Sequence, residues 1–207
     1  MKIGILGSGN VGQALAKGFI DEGNEVYLAT REPSGDKGKE LSQSFAGAVI
    51  VDFATAAREG ELIVLCTPWS AAQEAIQQAG ADNLAGKVVI DTNNVINQTH
   101  GVMVYGFDAR SAGEQVQEWL PQSKVVKAFN TVGANLMYKP QLSATPTMFI
   151  VGDDMEAKHQ VSDIVRAFGW DPLDAGPLVC ARELEAMALV WIRNGATSGR
   201  NHAFKML

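Results

Sequence analysis

Residues 1–31 read MKIGILGSGNVGQALAKGFIDEGNEVYLATR, and this segment is the strongest indication of the fold in the sequence. The apolar run at residues 2–6 predicts a short strand that is buried on both faces of a parallel sheet. It leads directly into Gly7-x-Gly9-x-x-Gly12. In such a pattern the first glycine turns the chain, the second lets a pyrophosphate approach the backbone, and the third lets the next helix pack against the strand.

The glycine pattern alone is a weak signal, but its setting strengthens it. Val11, Leu15 and Phe19 follow at helical spacing, as a strand–turn–helix unit requires. The free N–H groups at the start of this helix would face the phosphates of a dinucleotide. A tight turn without any ligand is the alternative. The predicted phosphate-binding residues are Gly7, Ser8, Gly9, Asn10, Val11 and Gly12.

The second predicted strand, residues 26–29, ends in Thr30-Arg31. Enzymes that use NAD usually carry an acid at this place, which accepts hydrogen bonds from the ribose hydroxyls. A hydroxyl and a guanidinium suit a 2′-phosphate instead. Thr30 and Arg31 therefore predict NADP or NADPH as the cofactor.

Length, charge and cysteine usage exclude several other classes of protein. A chain of 207 residues is long enough for one well-buried domain and too short for two of full size. A net charge of −6 argues against a nucleic-acid surface. Two isolated cysteines and three scattered histidines indicate neither a disulfide nor a metal site. Without a leader or a long apolar run, the sequence predicts no membrane contact and a cytoplasmic location.

Apolar runs alternate with helical or loop segments along the whole chain. This rhythm predicts an α/β fold with a doubly wound, mostly parallel sheet of the Rossmann type. We expect a single domain over residues 1–207, of which residues 178–207 form a C-terminal helical extension. After the first strand, the predicted strands are residues 26–29, 49–51, 62–66, 88–90, 125–129 and 148–151.

Polar or aromatic residues follow several of these runs, where an open parallel sheet binds its ligands. Thr67, Pro68 and Trp69 follow the fourth run, and the indole would either flank a nicotinamide ring or pack on a neighbouring helix. Asn93 and Asn130 follow the fifth and sixth runs, where they would bind ligand amides or tie down turns. After the seventh run we expect Asp153 and Asp154 to cap a helix rather than bind ligand. The predicted cofactor-binding residues beyond the glycine turn are thus Thr30, Arg31, Thr67, Pro68, Trp69, Asn93 and Asn130.

Three later segments are more particular than the glycine pattern: VVKAFNT at residues 125–131, DAGPL at 174–178 and ARELEAM at 181–187. With them, the chain resembles the NADP oxidoreductases that depend on a deazaflavin coenzyme. It is also similar to the cytosolic reductase domain of the six-transmembrane metalloreductases, which shares the AFN and ARE-x-EAM segments. The resemblance covers essentially the whole chain.

The resemblance implies that a hydride moves between NADPH and a flat tricyclic acceptor, either a deazaflavin or a flavin. The cofactor carries such chemistry, and the protein supplies binding, ring stacking and exclusion of water. We accordingly predict no catalytic acid–base residue. The resemblance also leads us to expect a second basic residue after Arg31, but Glu32 stands there. Lys37 or Lys39 would supply the second charge, and Glu32 could bind a ribose and permit use of both NAD and NADP.

The acceptor side of the site is harder to interpret. Residues 95–107 show no pattern that matches a deazaflavin pocket. In the family that the chain resembles, the C-terminal stretch helps close the acceptor site and contributes to a dimer. A helix with so many apolar groups needs a partner surface, so we expect a homodimer. The apolar residues concerned are Met187, Leu189, Val190, Trp191 and Ile192.

Two alternative functions remain open at this level. One is a nucleotide-binding, redox-sensing module without turnover. The other is a reductase of an imine or a small hydroxy acid, which needs a proton donor. Lys127 is the lysine nearest a relevant strand end, but its apolar strand favours a side chain that extends to the surface and stays solvated.

Overall fold

The structure, a computed structural model, describes residues 1–99, 102–105 and 110–207. Eight strands in this part of the chain form one sheet, and two more form a hairpin. The sheet strands are β1 (Lys2–Leu6), β2 (Glu25–Ala29), β3 (Ala48–Val51), β4 (Leu62–Leu65), β5 (Val88–Asp91), β8 (Lys124–Lys127), β9 (Thr147–Gly152) and β10 (Asp171–Asp174). The hairpin strands are β6 (Ile96–Thr99) and β7 (Val102–Tyr105).

Helices cover both faces of this sheet. They are α1 (Asn10–Asp21), α2 (Asp36–Ser44), α3 (Phe53–Glu59), α4 (Trp69–Ala79), α5 (Ala81–Leu84), α6 (Ala112–Trp119), α7 (Met155–Ala167) and α8 (Ala181–Ser198). Two 3₁₀ turns, Ala134–Leu136 and Leu178–Cys180, complete the set. The predicted α/β class and the C-terminal helix are confirmed.

The strand order is β10-β9-β8-β5-β4-β1-β2-β3. All neighbouring pairs run parallel except β8 and β9, which are antiparallel. Residues 128–146 connect these two strands with only a 3₁₀ turn, whereas a parallel crossover usually contains a helix. Sequence reasoning treated the end of β9 like the others, and this was wrong. That end lies on the edge of the sheet away from the carboxyl ends of β1, β2, β4, β5 and β8.

The two aspartates after β9 have structural contacts at this far edge. Asp154 caps α7, because its Oδ1 accepts a hydrogen bond from the Ala157 N–H at 2.8 Å. Asp153 Oδ1 accepts from the Leu178 N–H at 2.9 Å. Capping by Asp154 is therefore confirmed.

The sheet separates two apolar cores. Phe19, Phe129 and Phe168 are buried in the first, on the side of α1 and α7. Leu65, Ile76 and residues of α3 and α6 form the second, on the opposite face. Both cores draw on the same strands, which explains why β1 and β4 are apolar at almost every position.

Other segments of the same chain cover most of the apolar face of α8. The sequence had led us to expect that this face is exposed. Leu189 and Trp191 are each only 6% exposed. The Trp191 indole stacks on His202, and its Nε1 donates to the His202 carbonyl at 2.8 Å. Val190 remains 56% exposed. The homodimer prediction assumed a large exposed apolar surface on α8. In the structure, the exposed apolar surface of this helix is limited to a few side chains around Val190.

No helix among the described residues is long and apolar enough to cross a membrane. Within the same ranges, no group of three or more His, Cys, Asp and Glu side chains is placed to hold a metal ion.

An ion pair at the start of α6 makes stability depend on acidity. Burial by itself raises the pKa of Glu114, but hydrogen bonds from Arg182 and Ser111 outweigh this effect and hold the pKa at about 2. A carboxyl group with a depressed pKa stabilises the fold above its unfolded-state pKa of 4.5, and this contribution is lost as the pH falls toward 2. We expect Glu114→Gln to flatten the fall of the melting temperature between about pH 5 and pH 2. Calorimetric scans across this range measure it. Equal slopes in Glu114→Gln and in Glu183→Gln, an exposed control on α8, would contradict the assignment.

Candidate cofactor-binding site

A cleft of about 460 Å³ opens beyond the carboxyl ends of β1, β2 and β4. Seven of the predicted binding residues line it: Gly7, Ser8, Gly9, Thr30, Arg31, Thr67 and Pro68. The structure thus brings the glycine turn, the proposed 2′-phosphate residues and the end of β4 into one continuous cavity.

The glycines differ in what surrounds them. Gly7 has a φ of +129°, and a Cβ there would lie 2.9 Å from the Cys66 carbonyl oxygen. A Cβ on Gly12 would lie 1.9 Å from the Gly7 carbonyl oxygen, so α1 packs too closely for any side chain. A Cβ on Gly9 would meet nothing within 4 Å. Gly7 and Gly12 serve the fold, while Gly9 leaves open space for a ligand.

This difference predicts opposite effects of two similar substitutions. Gly12→Ala should cost roughly 1–3 kcal/mol of folding free energy or more, because its methyl group meets backbone that cannot move aside. Gly9→Ala should fold normally, since its φ of −75° is ordinary for alanine, yet bind NADPH at least about tenfold more weakly. Urea denaturation and calorimetric titration of both variants measure this. A destabilised Gly9→Ala, or an undisturbed Gly12→Ala, would contradict it.

The start of α1 carries no side-chain cap and no acidic residue in its first turn. The first N–H groups of a helix have no partner within the helix. Asn10, Val11 and Gly12 do not line the cleft with side chains, and Val11 packs against the core. Their part in phosphate binding would use these backbone N–H groups, which stays a prediction.

Positive charge lies at the β2 end of the cleft. Thr30 is fixed by its N–H, which donates to the Val51 carbonyl at 3.0 Å, whereas Arg31 is exposed. Lys37 also lines the cleft, and its ammonium lies 3.3 Å from Glu40. Neither Lys39 nor Glu32 lines the cleft. Of the two lysines that sequence reasoning offered as a second charge, the structure brings in Lys37.

Sequence reasoning missed one wall of the cleft, which α3 and α4 supply. Glu74 and Gln78 stand on this wall, and the Gln78 amide donates to the Glu74 carboxylate at 3.0 Å. The α4 positions recur three or four residues apart, so helical spacing counted onward from Pro68 could have found them. The missed lining residues are Phe53, Ala71, Glu74, Ala75 and Gln78, with Cys66 at the end of β4.

Cys66 forms the inert floor of the glycine turn. Its buried Sγ–H faces the carbonyl oxygens of Leu6 and Gly7 at 3.5 and 3.4 Å. Burial raises the pKa of the Cys66 thiol to about 12, so the nucleophilic thiolate does not form at neutral pH. Cys66 and Cys180 are both free cysteines.

Trp69 begins α4 and packs on a neighbouring helix. Its ring stacks on Trp119 of α6, with centroids 5.4 Å apart and planes inclined by 14°. Trp69 does not line the cleft. Packing, one of the two alternatives for this residue, is what the structure shows. A role beside the nicotinamide stays a prediction.

Asn93 and Asn130 tie down the loops after β5 and β8, and neither lines the cleft. Asn93 Nδ2 donates to Asp91 Oδ1 at 2.9 Å. Asn130 Nδ2 donates to Asn94 Oδ1 at 2.9 Å and to the Leu184 carbonyl at 3.0 Å. Three buried oxygens near this edge, Thr67 Oγ1, Asp91 Oδ2 and Asn130 Oδ1, have no hydrogen-bond partner within the described residues, although Asp91 Oδ2 is ion-paired with Lys127.

The residue before Asn130 has an unusual backbone. Phe129 has a φ of +59°, in the left-handed region that side chains rarely adopt. Such a conformation costs roughly 1–3 kcal/mol and persists only where the surroundings enforce it. The ring is buried against Phe168, and the Phe129 N–H donates to Met148 Sδ at 3.2 Å. The strained turn determines where Asn130 lies.

The prediction for Lys127 was wrong. Its side chain is fully buried, and Nζ lies 2.6 Å from both Asp91 Oδ2 and Glu185 Oε1. Burial lowers the pKa of Lys127, but the two carboxylates raise it by more, so the ammonium stays charged. Both partners are distant in sequence, and nothing in the local pattern around Lys127 indicates them.

Comparison with known proteins shows which family the chain belongs to. A family model described as "NADP oxidoreductase coenzyme F420-dependent" matches residues 2–95. The F420-dependent NADP reductase of Methanocaldococcus jannaschii is 30% identical over 201 residues, which cover 90% of this chain and 89% of that protein. The chain belongs to this family of NADP oxidoreductases. A crystal structure provisionally named an F420-dependent NADP reductase, from Arthrobacter sp. FB24, superposes with a TM-score of 0.92 at 34% identity. It covers 100% of this chain and 99% of that one.

The family resemblance extends to larger proteins. Metalloreductase STEAP3 of Rattus norvegicus is 32% identical over 188 residues, which is 91% of this chain but only 36% of that protein. The chain therefore spans about a third of the length of the metalloreductases that it matches. An imine reductase of Streptomyces aurantiacus superposes with a TM-score of 0.69 at 18% identity, and this likeness concerns the fold alone.

Proposed function

We propose that this member of the NADP oxidoreductase family transfers a hydride between NADP(H) and a small-molecule acceptor of the flavin or deazaflavin type. The observation that carries the proposal is the arrangement of the cleft, with Gly9 open at its centre and Thr30, Arg31 and Lys37 together at one end. A relative named for F420 dependence and 89% covered by this chain supports a deazaflavin as acceptor.

The strand order supports a proposed position for each part of the cofactor. The glycine turn at β1 would hold the pyrophosphate, and Arg31 with Lys37 at β2 would hold the 2′-phosphate. The nicotinamide half then extends the other way, toward β4, β5 and β8. Thr67 Oγ1 and Asn130 Oδ1, which have no hydrogen-bond partner among the described residues, follow β4 and β8 and would hydrogen-bond to the carboxamide. NADPH supplies the hydride, and the side chains bind, orient and exclude water.

The described residues supply no evident proton donor for an imine or hydroxy-acid substrate. The Lys127 ammonium is fully buried, donates to the Asn93 carbonyl and is paired with the Asp91 and Glu185 carboxylates. The Cys66 thiol is buried, and His202 faces the carbonyls of Gly199 and Trp191. We therefore propose a reaction without a protein acid–base group and rank the imine or hydroxy-acid alternative below it.

The experiment is an acceptor panel. Purified protein is offered NADPH with a deazaflavin, FMN or FAD, and loss of absorbance from the reduced nicotinamide is followed. We expect turnover with at least one of the three. Tight NADPH binding without consumption across the panel and across pH would favour the redox-sensing module instead.

The segment that sequence reasoning considered for the acceptor lies partly outside the described residues. Of the segment 95–107, which showed no pattern for a deazaflavin pocket, residues 100, 101, 106 and 107 are not described. The described strand β7 lies beside α8. We propose that the hairpin and α8 flank the acceptor.

A homodimer and a cytoplasmic location remain proposals. The exposed Val190 on α8 supports the first, and the two free cysteines support the second. Light scattering on a size-exclusion column measures the mass of the particle. We expect twice the chain mass, and we expect Val190→Glu to shift the protein toward the monomer. A monomer at all concentrations would contradict the dimer.

A further inference from the structure

A fully buried group of charges lies behind the carboxyl ends of β5 and β8. It consists of Asp91, Lys127 and Glu185, and we call it the Lys127 centre. None of the three side chains is exposed to solvent. Lys127 Nζ donates a hydrogen bond to the Asn93 carbonyl at 2.6 Å and lies 2.6 Å from one oxygen of each carboxylate. These three oxygens enclose the ammonium, and its side chain is not exposed to a ligand.

The remaining carboxylate oxygens hold a short stretch of backbone. Asp91 Oδ1 accepts from the Asn93 N–H at 3.0 Å, and Glu185 Oε2 accepts from the Val95 N–H at 3.0 Å. Residues 93–95 are therefore fastened at both ends to the Lys127 centre. Buried ion pairs can often be replaced by apolar residues without loss of stability, so stability alone does not explain three buried charges here.

Asn94, within the stretch 93–95, forms two hydrogen bonds with Asn130. Asn94 Nδ2 donates to the Asn130 carbonyl at 3.0 Å, and Asn130 Nδ2 donates back to Asn94 Oδ1 at 2.9 Å. Asn130 is 5% exposed, and its Oδ1 has no partner within the described residues. A buried acceptor without a partner is unfavourable, and an N–H of a bound ligand would remove that cost.

We propose that Asp91, Lys127 and Glu185 are positioning residues for the nicotinamide half of the cofactor. They touch no ligand. They set the path of residues 93–95 and, through Asn94, the orientation of Asn130, whose Oδ1 receives the carboxamide N–H. This inference rests on the proposed function, because it assumes a nicotinamide dinucleotide in the cleft.

The test separates the two halves of the cofactor. Glu185→Gln keeps the shape of the side chain and leaves one ammonium against one carboxylate, so no charge is stranded. Glutamine has one amide oxygen where glutamate has two carboxylate oxygens. It therefore cannot accept both from the Val95 N–H and from Lys127, and the backbone at residues 93–95 loses a hydrogen bond. Titration calorimetry measures binding of NADP⁺ and of adenosine 2′,5′-bisphosphate, which lacks the nicotinamide half. Glu183→Gln, exposed on the same helix, is the matched control.

We expect Glu185→Gln to weaken NADP⁺ binding about tenfold, the effect of roughly one hydrogen bond, and to leave binding of the bisphosphate unchanged. The control should change neither. Unchanged NADP⁺ binding, or equal loss for both ligands, overturns the inference while the proposed function stands. If the unaltered protein binds neither ligand, the proposed function fails and the inference with it. Should Glu185→Gln not fold, Asp91→Asn combined with Lys127→Met and Glu185→Gln removes all three buried charges and must show the same split.

Discussion

Changing Arg31 to alanine is expected to weaken NADPH binding by roughly 1.5–3 kcal/mol, the range for a lost hydrogen bond between charged groups. NADH binding should change far less, because NADH lacks the 2′-phosphate that the guanidinium would contact. The structure supports a large effect, since Arg31 lines the cleft beside Thr30 and is paired with no carboxylate among the described residues. Calorimetric titration with both cofactors measures the difference.

Two further variants serve as controls for the effect of Arg31→Ala. Arg166→Ala removes an exposed arginine on α7 that pairs with Asp163, far from the cleft lining, and should alter neither affinity. Lys37→Ala should give a smaller loss than Arg31→Ala, because this lysine is half exposed and already paired with Glu40. Equal losses for NADPH and NADH in Arg31→Ala would refute specificity for NADP.

The second large effect concerns stability. Lys127→Met leaves Asp91 and Glu185 buried and facing each other without the ammonium between them. Removing one partner of a buried ion pair typically costs about 3–5 kcal/mol, because an uncompensated charge stays in the core. Urea denaturation monitored by tryptophan fluorescence measures the loss.

A second lysine provides the matched comparison. Lys158 is nearly buried, with 8% of its side chain exposed, but its partner Asp174 is 46% exposed. Lys158→Met should cost much less, because water can solvate the remaining carboxylate. Removing all three charges, as in Asp91→Asn with Lys127→Met and Glu185→Gln, should recover much of the stability that Lys127→Met loses. If Lys127→Met lowers the free energy of unfolding by no more than Lys158→Met does, the Lys127 centre is not an isolated buried charge group.

The parallel part of the fold was readable from sequence because it depends on local patterns. A strand buried on both faces is an apolar run, and the predicted strands end within two residues of the observed ones. The glycine turn was readable for a similar reason, since each glycine answers a local steric demand. β10 was missed because its residues DPLD carry no apolar run and lie at the edge of the sheet. The hairpin of β6 and β7 was also missed.

What sequence could not show depends on contacts between distant segments. The direction of β9 follows from how residues 128–146 pack, which no local pattern records. Lys127 looks like a surface lysine until Asp91 and Glu185 are brought to it by the sheet and by α8. The place of Lys37 in the cleft depends likewise on the path of the chain after Arg31.

The thiol under the glycine turn has a consequence for an enzyme that handles electrons. Oxidants attack thiolates that they can reach, and Cys66 is neither ionised at neutral pH nor exposed. The side chain beneath the glycine turn is thereby a poor target for oxidants.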